Sequence, residues 1–264
     1  MALSPSDAKS LALIAERLDP AHHLLFITGA GLSADSGLPT YRGVGGLYGD
    51  DKKTRFGCTI EEALSGPMLE ARPDITWIYL VELERTCRGA TFNRGHAVIA
   101  EMEQHFERVW TLTQNVDGFH QQAGARHVID IHGDLRTLRC TRRRCRHRER
   151  VESFSHLAIP PRCPRCGSVV RPDVVLFGEM LPSAKFTSLI GELERGFDVV
   201  FTIGTSSLFP YIRLPVELAP DLGAVTVEIN PGQTAVSDLV DLKITAGAAE
   251  ALDTLWSSYL ARRT

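Results

Sequence analysis

Read from its amino terminus, the chain alternates strand-length apolar runs with amphipathic stretches. Leu11, Leu13, Ile14 and Leu18 recur at helical spacing, so residues 4–18 predict a helix capped by Ser4 or Ser6. His23 to Thr28 is a short apolar run that ends in Gly29-Ala30-Gly31. The same grammar returns three times with a polar or glycine ending: 109–113 into Gln114, 199–203 into Gly204, and 225–229 into Asn230. The run 128–131 ends at His132. Between these strands, 59–69, 74–87 and 96–107 predict helices; in the last, Val98, Ile99, Met102 and Phe106 fall close to one face. Residues 38–56 are rich in Gly and polar side chains and predict a loop.

Strands alternating with helices imply an α/β fold with a mostly parallel sheet covered on both faces. An apolar strand feeding a glycine turn and then a helix is the opening of a Rossmann-like unit. In such sheets ligands bind at the carboxyl ends of the strands, which is where the polar residues fall. Residues 135–170 break the rhythm. They are rich in Cys and Arg, poor in apolar residues, and read as a small insertion outside the main core.

Composition narrows the classes without changing this picture. The 264 residues are 44% hydrophobic and 23% charged, ordinary for a globular protein able to bury a large core. A net charge of −3 gives no overall attraction to nucleic acid or an anionic membrane, although Arg142, Arg143, Arg144, Arg146, Arg148 and Arg150 form a local basic cluster, read as a solvated face. No basic segment followed by an apolar one opens the chain, and no apolar run approaches membrane length. Four of the six cysteines cluster, a metal pattern of reducing compartments rather than a disulfide framework. The expectation is a cytoplasmic monomer.

Three groups carry candidate chemistry. Gly29-Ala-Gly31-Leu-Ser33-Ala34 fits the G-x-G-x-x-G/A phosphate turn, whose glycines let backbone approach a pyrophosphate. Alone, the pattern fits a plain tight turn equally well. The acidic residue that a dehydrogenase carries about 20 positions later has no clear counterpart, since Asp50 and Asp51 sit in the loop. Cys140-x4-Cys145 and Cys163-x2-Cys166 form two close pairs suited to tetrahedral Zn²⁺ in a closed, structural site. His147 and His156 are the alternative ligands nearby. His132 ends a strand and precedes glycine; an imidazole titrates near neutrality and suits a general base, although a lone strand-end histidine is more often structural.

The longer string Gly29-Ala-Gly-Leu-Ser-Ala-Asp-Ser-Gly-Leu-Pro-Thr-Tyr41-Arg42 closely resembles the sirtuin signature. Thr113-Gln-Asn-Val-Asp117, His132-Gly133, the two cysteine pairs, Phe177-Gly-Glu179, Gly204-Thr-Ser206 and Ile229-Asn230 follow in the family order, so the resemblance covers roughly residues 8–255. It implies an NAD-dependent protein-lysine deacylase. Gly29, Ala30, Gly31, Ser33, Ala34, Tyr41 and Arg42 would hold NAD on one side, and Gly204, Thr205 and Ser206 on the other. Asn230 would meet the adenine-side ribose and the turn through Ala248 the adenine. Gln114, Asn115 and Asp117 would serve the nicotinamide site; by themselves Asn115-Val-Asp117 read as an Asx turn. Tyr41 replaces the family phenylalanine. The implied reaction begins with attack of the acyl oxygen on the anomeric carbon, expelling nicotinamide. His132 then deprotonates ribose hydroxyls, with Asn115 assisting, and acyl-ADP-ribose and free lysine are released.

The family match also implies a division of the single domain at 5–262. Residues 1–40, 90–134 and 178–262 would form the Rossmann-like part, 41–89 a helical and cofactor-loop module, and 135–177 a zinc-binding module. Val174, Val175, Phe177, Gly178 and Glu179 would pair with an acyl-lysine peptide added as a strand. Matching Trp77 and the Asn93-x-x-His96 segment to members that remove acidic acyl groups through a Tyr and an Arg puts Leu80 and Leu83 at those positions. An apolar pair offers no charged partner to a carboxylate, so acetyl or longer aliphatic groups are expected. Protein mono-ADP-ribosyl transfer or NAD hydrolysis in the same pocket is the alternative. A non-catalytic NAD-sensing module would lack part of the set Asn115, Asp117 and His132, and a dehydrogenase fits least.

Overall fold

A computed structural model describes residues 3–40 and 54–263. Nine strands are present among them: β1 (His23–Thr28), β2 (Arg108–Thr113), β3 (Val128–Asp130), β4 (Gly133–Cys140), β5 (Arg148–Arg150), β6 (Val170–Val174), β7 (Val199–Ile203), β8 (Val225–Ile229) and β9 (Leu242–Ile244). Six form a sheet in the order β3-β2-β1-β7-β8-β9, every neighbouring pair parallel. The α/β expectation therefore holds.

Strand pleating explains the layers. Leu24 and Phe26 of β1 enter one core, with helices Pro5–Arg17, Arg94–Met102 and Ala248–Ala261; Leu25 and Ile27 enter the other, with Ser183–Glu194 and Pro210–Leu222. Phe26 stacks on Phe201 of β7, ring centroids 4.9 Å apart. The first helix is capped as expected, by Ser4, whose Oγ accepts from Asp7 N–H at 3.1 Å. That bond is worth about 1 kcal/mol.

The order of the sheet positions the site. The chain leaves β1 toward β2 on one side, and β7 lies on its other side, so the connections diverge above the carboxyl ends of β1 and β7. Register puts Thr28 level with both Thr113 and Ile203, Thr113 level with Asp130, and Ile203 level with Ile229. The turns beginning at Gly29, Gln114, Ile131, Gly204 and Asn230 thus emerge along one edge.

Residues 133–174 form a second, antiparallel sheet ordered β5-β4-β6. It lies outside the two cores of the parallel sheet and shares a third with the helical segment. Leu135, Leu138, Phe154 and Val170 bury themselves against Leu64, Leu69, Trp77 and Leu80 of the helical segment. Trp77 donates its indole N–H to the Val170 carbonyl at 2.9 Å and meets Phe154 edge-on. The expected helix over 59–69 is two short ones, Ile60–Ala63 and Gly66–Ala71, because Ser65 caps a new start ahead of Pro67. No helix among the described residues is long and apolar enough to cross a membrane.

Candidate active site

Two glycine turns meet backbone to backbone. Gly31 N–H donates to Gly204 O at 2.8 Å and Gly29 N–H to Ile203 O at 3.1 Å. A Cβ on Gly31 would stand 2.6 Å from Gly204 Cα, and one on Gly29 2.8 Å from Gly204 O. Gly204 has φ +58°, and a Cβ there would meet Leu32 N at 2.5 Å. The glycines serve this contact first, and the short Ala30–Ala34 helix starts immediately beyond it.

Asn115 and Asp117 lock onto the first turn. Asn115 Nδ2 donates to Gly29 O at 3.0 Å and to Ser33 Oγ at 3.1 Å; Ser33 in turn donates to Asp117 Oδ2 at 2.7 Å. Asp117 Oδ1 accepts from Phe119 N–H at 2.9 Å, so the Asx turn is present as well as the contact to the glycine turn. Burial pushes the Asp117 carboxyl above its ordinary range, against the pull of the Phe119 and Ser33 bonds. Ala30, Ser33, Asn115 and Asp117 line a cavity closed by Leu38, Pro39, Leu83, Thr86 and Cys87. The Cys87 thiol is pushed up to about 12 by burial, with Asp117 adding to the shift, and stays an apolar wall group.

Gln114 crosses the cleft: its Nε2 donates to Thr205 Oγ1 at 2.7 Å, and Thr205 Oγ1 also accepts from Ser207 N–H at 3.1 Å. Asn230 Nδ2 donates to Thr205 O at 3.0 Å while its Oδ1 accepts from Gly232 N–H. Thr205 is buried, and Ser206 and Ala34 are exposed. Ala248 is buried at the start of the last helix, whose Ala249 N–H bonds Asp35 near the first turn. Tyr41 and Arg42 lie outside the described residues.

His132 follows β3 and is fixed from both ring nitrogens. Nδ1 lies 3.2 Å from Gln114 O, and Nε2 lies 2.7 Å from the Tyr211 hydroxyl. Its pKa is lowered to about 4, chiefly by burial; the Gln114 carbonyl opposes the shift and Lys185 adds to it. Gly133 has φ +96°, and a Cβ there would meet the Asp173 carbonyl oxygen at 1.9 Å, so only glycine lets the chain turn from His132 into β4.

Geometry bears on two of the sequence expectations. Leu83 reaches the cavity wall, whereas Leu80 is 1% exposed and sits in the core with Trp77. Both leucines lie on one helix, and spacing alone does not tell wall from core. The second concerns residues 174–179. Val174 is buried in β6 opposite Gly133, and Val175 N–H is given to His132 O at 2.8 Å. Phe177 already gives its N–H to Leu64 O and accepts Gly66 N–H at its own carbonyl. Glu179 holds the buried Arg171 guanidinium and accepts Leu176 N–H. Gly178 is exposed at φ +78°. A peptide strand therefore finds the backbone of Phe177 engaged, and Glu179 is a brace for the segment.

The sequence also passed over Tyr211. It lies just inside the Pro210–Leu222 helix, which the interior prolines Pro215 and Pro220 hide from any helix pattern. His96 and His120 are buried beneath the first turn with rings 5.0 Å apart, and His120 Nε2 bonds Thr28 Oγ1 at 2.9 Å.

The four cysteines converge as expected. All four sulfurs lie within 4.8 Å of one another, with Cys140–Cys166 at 3.5 Å and Cys145–Cys163 at 3.6 Å. Bonds of about 2.3 Å to one tetrahedral Zn²⁺ separate sulfurs by about 3.8 Å, so the donor set fits a structural zinc ion. His147 and His156 are not in the cluster.

Comparison with known proteins agrees with this geometry. The Sir2 family profile matches residues 29–209. An NAD-dependent protein deacylase 2 of Pseudomonas aeruginosa is 49% identical, the match covering 91% of this chain and 93% of that protein. An NAD-dependent protein deacylase 1 of Archaeoglobus fulgidus is 37% identical, covering 94% and 96%. Among solved structures, a Sir2 homolog–NAD complex superposes with a TM-score of 0.82 at 34% identity, over all of this chain and 98% of that one. A complex of Sir2 with a p53 peptide and NAD⁺ superposes with a TM-score of 0.77 at 26% identity, over 94% and 97%. On its sequence, its sheet order and the profile match together, the chain belongs to the Sir2 family.

Proposed function

We propose that the protein is an NAD-dependent protein-lysine deacylase that releases nicotinamide and O-acyl-ADP-ribose. The observation that carries this reading is the convergence of a half-buried, neutral imidazole, His132, with the Gly29–Ser33 turn, Asn115 and Asp117 at one end of the sheet. Relatives named as deacylases and Sir2 structures solved with NAD support it.

In this reading Gly29, Ala30, Gly31, Ser33, Gly204, Thr205 and Ser206 grip the pyrophosphate through backbone N–H groups and small hydroxyls. Asn230 and Ala248 flank the adenosine, and the family resemblance assigns Tyr41 and Arg42 to the cofactor as well. Gln114, Asn115 and Asp117 serve the nicotinamide end. His132 accepts the ribose proton at Nε2. Four cysteines hold zinc as a fold element, with no open position for substrate. The modules 41–89 and 135–177 act together, since their side chains share one core. An acyl-lysine peptide is the partner, in a monomeric, cytoplasmic enzyme.

Leucines at 80 and 83, where members that remove acidic acyl groups carry a Tyr and an Arg, give a carboxylate no charged partner and support neutral acyl groups. Purified protein with NAD and a matched peptide pair should remove acetyl at least about tenfold faster than succinyl, the penalty of roughly 1.4 kcal/mol for a carboxylate left without a cation. Faster removal of succinyl would refute the acyl assignment. NAD consumption that is independent of any acyl-peptide would instead favour hydrolysis or ADP-ribosyl transfer.

A further inference from the structure

The base nitrogen of His132 is already engaged in the free protein. A carbonyl oxygen only accepts, so the 3.2 Å contact to Gln114 O requires the proton on Nδ1. Nε2 then carries the lone pair. The Tyr211 phenol, 2.7 Å away, keeps its proton, because burial pushes it up to about 12, and donates into that lone pair.

The phenol is held where it is. Tyr211 stacks on Phe209 with centroids 5.5 Å apart and planes 13° from parallel. Both rings meet the imidazole edge-on, at 5.7 Å and 6.0 Å. Pro210 begins the helix that carries Tyr211, and the Phe209 carbonyl accepts from Ile212 N–H at 3.0 Å and Arg213 N–H at 3.2 Å. Among the described residues, the charged group acting on the ring is Lys185, whose Nζ is paired with Asp130 at 2.7 Å and also bonds the Asp130 carbonyl.

We propose that Tyr211 is a positioning residue for His132, its hydroxyl fixing the Nδ1–H tautomer and holding Nε2 in place until a ribose hydroxyl replaces it. This rests on the reading of His132 as the base. The phenol and a ribose hydroxyl are the same kind of donor, so the phenol oxygen marks where the ribose oxygen arrives. In turnover the ribose O–H bond breaks, its proton passes to Nε2, and its electron pair stays on the oxygen that attacks the acyl carbon. Tyr211 itself gains and loses nothing.

The test is Tyr211→Phe, with His132→Ala as the control, assayed for two steps: exchange of labelled nicotinamide into NAD, and formation of acyl-ADP-ribose. Exchange precedes the use of the base in the implied mechanism. In Tyr211→Phe, acyl-ADP-ribose formation should fall about tenfold, as loss of base orientation does, while exchange stays within about twofold. The acid limb of kcat/KM should move upward by up to about one unit, because a donor to the neutral form has been removed. Nitrogen NMR of the free wild-type protein should find His132 in the Nδ1–H tautomer. An unchanged rate and pH profile in Tyr211→Phe, an equal fall in both steps, or an Nε2–H tautomer would each overturn the proposal. Full acyl-ADP-ribose formation in a folded His132→Ala protein would overturn the base reading instead.

Discussion

Gly31 and Gly204 carry a tight steric constraint at the junction of the two turns. Their backbones interlock so closely that a methyl group on either would lie 2.5 or 2.6 Å from main-chain atoms of the other turn. Gly31→Ala should therefore part the two turns and weaken NAD binding on the order of tenfold or more, about 1.4 kcal/mol, measured by titration calorimetry. Unchanged affinity would mean that the junction of the turns is not the pyrophosphate grip. The glycines were readable in the sequence as a phosphate turn, but their packing against each other was not, because it joins residues 173 positions apart. Leu80 and Leu83 make the same point from the other side. Spacing put both on one helix, and only packing against Trp77 sends Leu80 inward while Leu83 meets the cavity. Tyr211 carried no signal beyond being one aromatic residue after a proline, and its significance is entirely its 2.7 Å contact with His132.

Among the elements, those with strong periodicity were legible. β1, β2, β7 and β8 are apolar, β-branched runs that end abruptly in polar or glycine residues, and they fall where the pattern places them. β9 has three residues and too little pattern to notice, and the Pro210–Leu222 helix is masked by its own prolines. The cysteine-rich insertion was legible as a metal site but not as a folded sheet. Its apolar residues are few, and they complete a core only with Trp77 and Leu64 from a distant segment. Removing the metal should accordingly loosen both segments together. Chelation, or Cys163→Ser, should expose Trp77, now fully buried, and red-shift its fluorescence. An unshifted spectrum with the metal demonstrably gone would contradict a structural role for zinc.

At the scale of the whole molecule, three imidazoles among the described residues are held neutral, His96 and His120 buried and His132 half-buried. His96 and His132 are lowered to about 4 and His120 well below its ordinary value, in each case mainly by burial. Unfolding returns them to an ordinary value near 6.5. Between pH 6.5 and 4 the unfolded chain therefore binds more protons than the folded one, so stability must rise with pH across that window and fall as the pH drops through it. Urea midpoints measured from pH 7 to pH 4.5 should decline steadily; a flat or rising series would mean that these rings are not buried neutral. The same burial keeps His132 ready as a base at neutral pH, which ties the stability of the sheet edge to the chemistry set along it.

The most direct test of the central claim is the mass spectrum of the products formed from NAD and an acetyl-lysine peptide. With wild-type protein, nicotinamide, O-acetyl-ADP-ribose and the unmodified peptide should accumulate in equal amounts. A folded His132→Ala protein should yield no O-acetyl-ADP-ribose. Free acetate with ADP-ribose as the first products, an ADP-ribosylated peptide, or undiminished O-acetyl-ADP-ribose from the His132 variant would contradict the account.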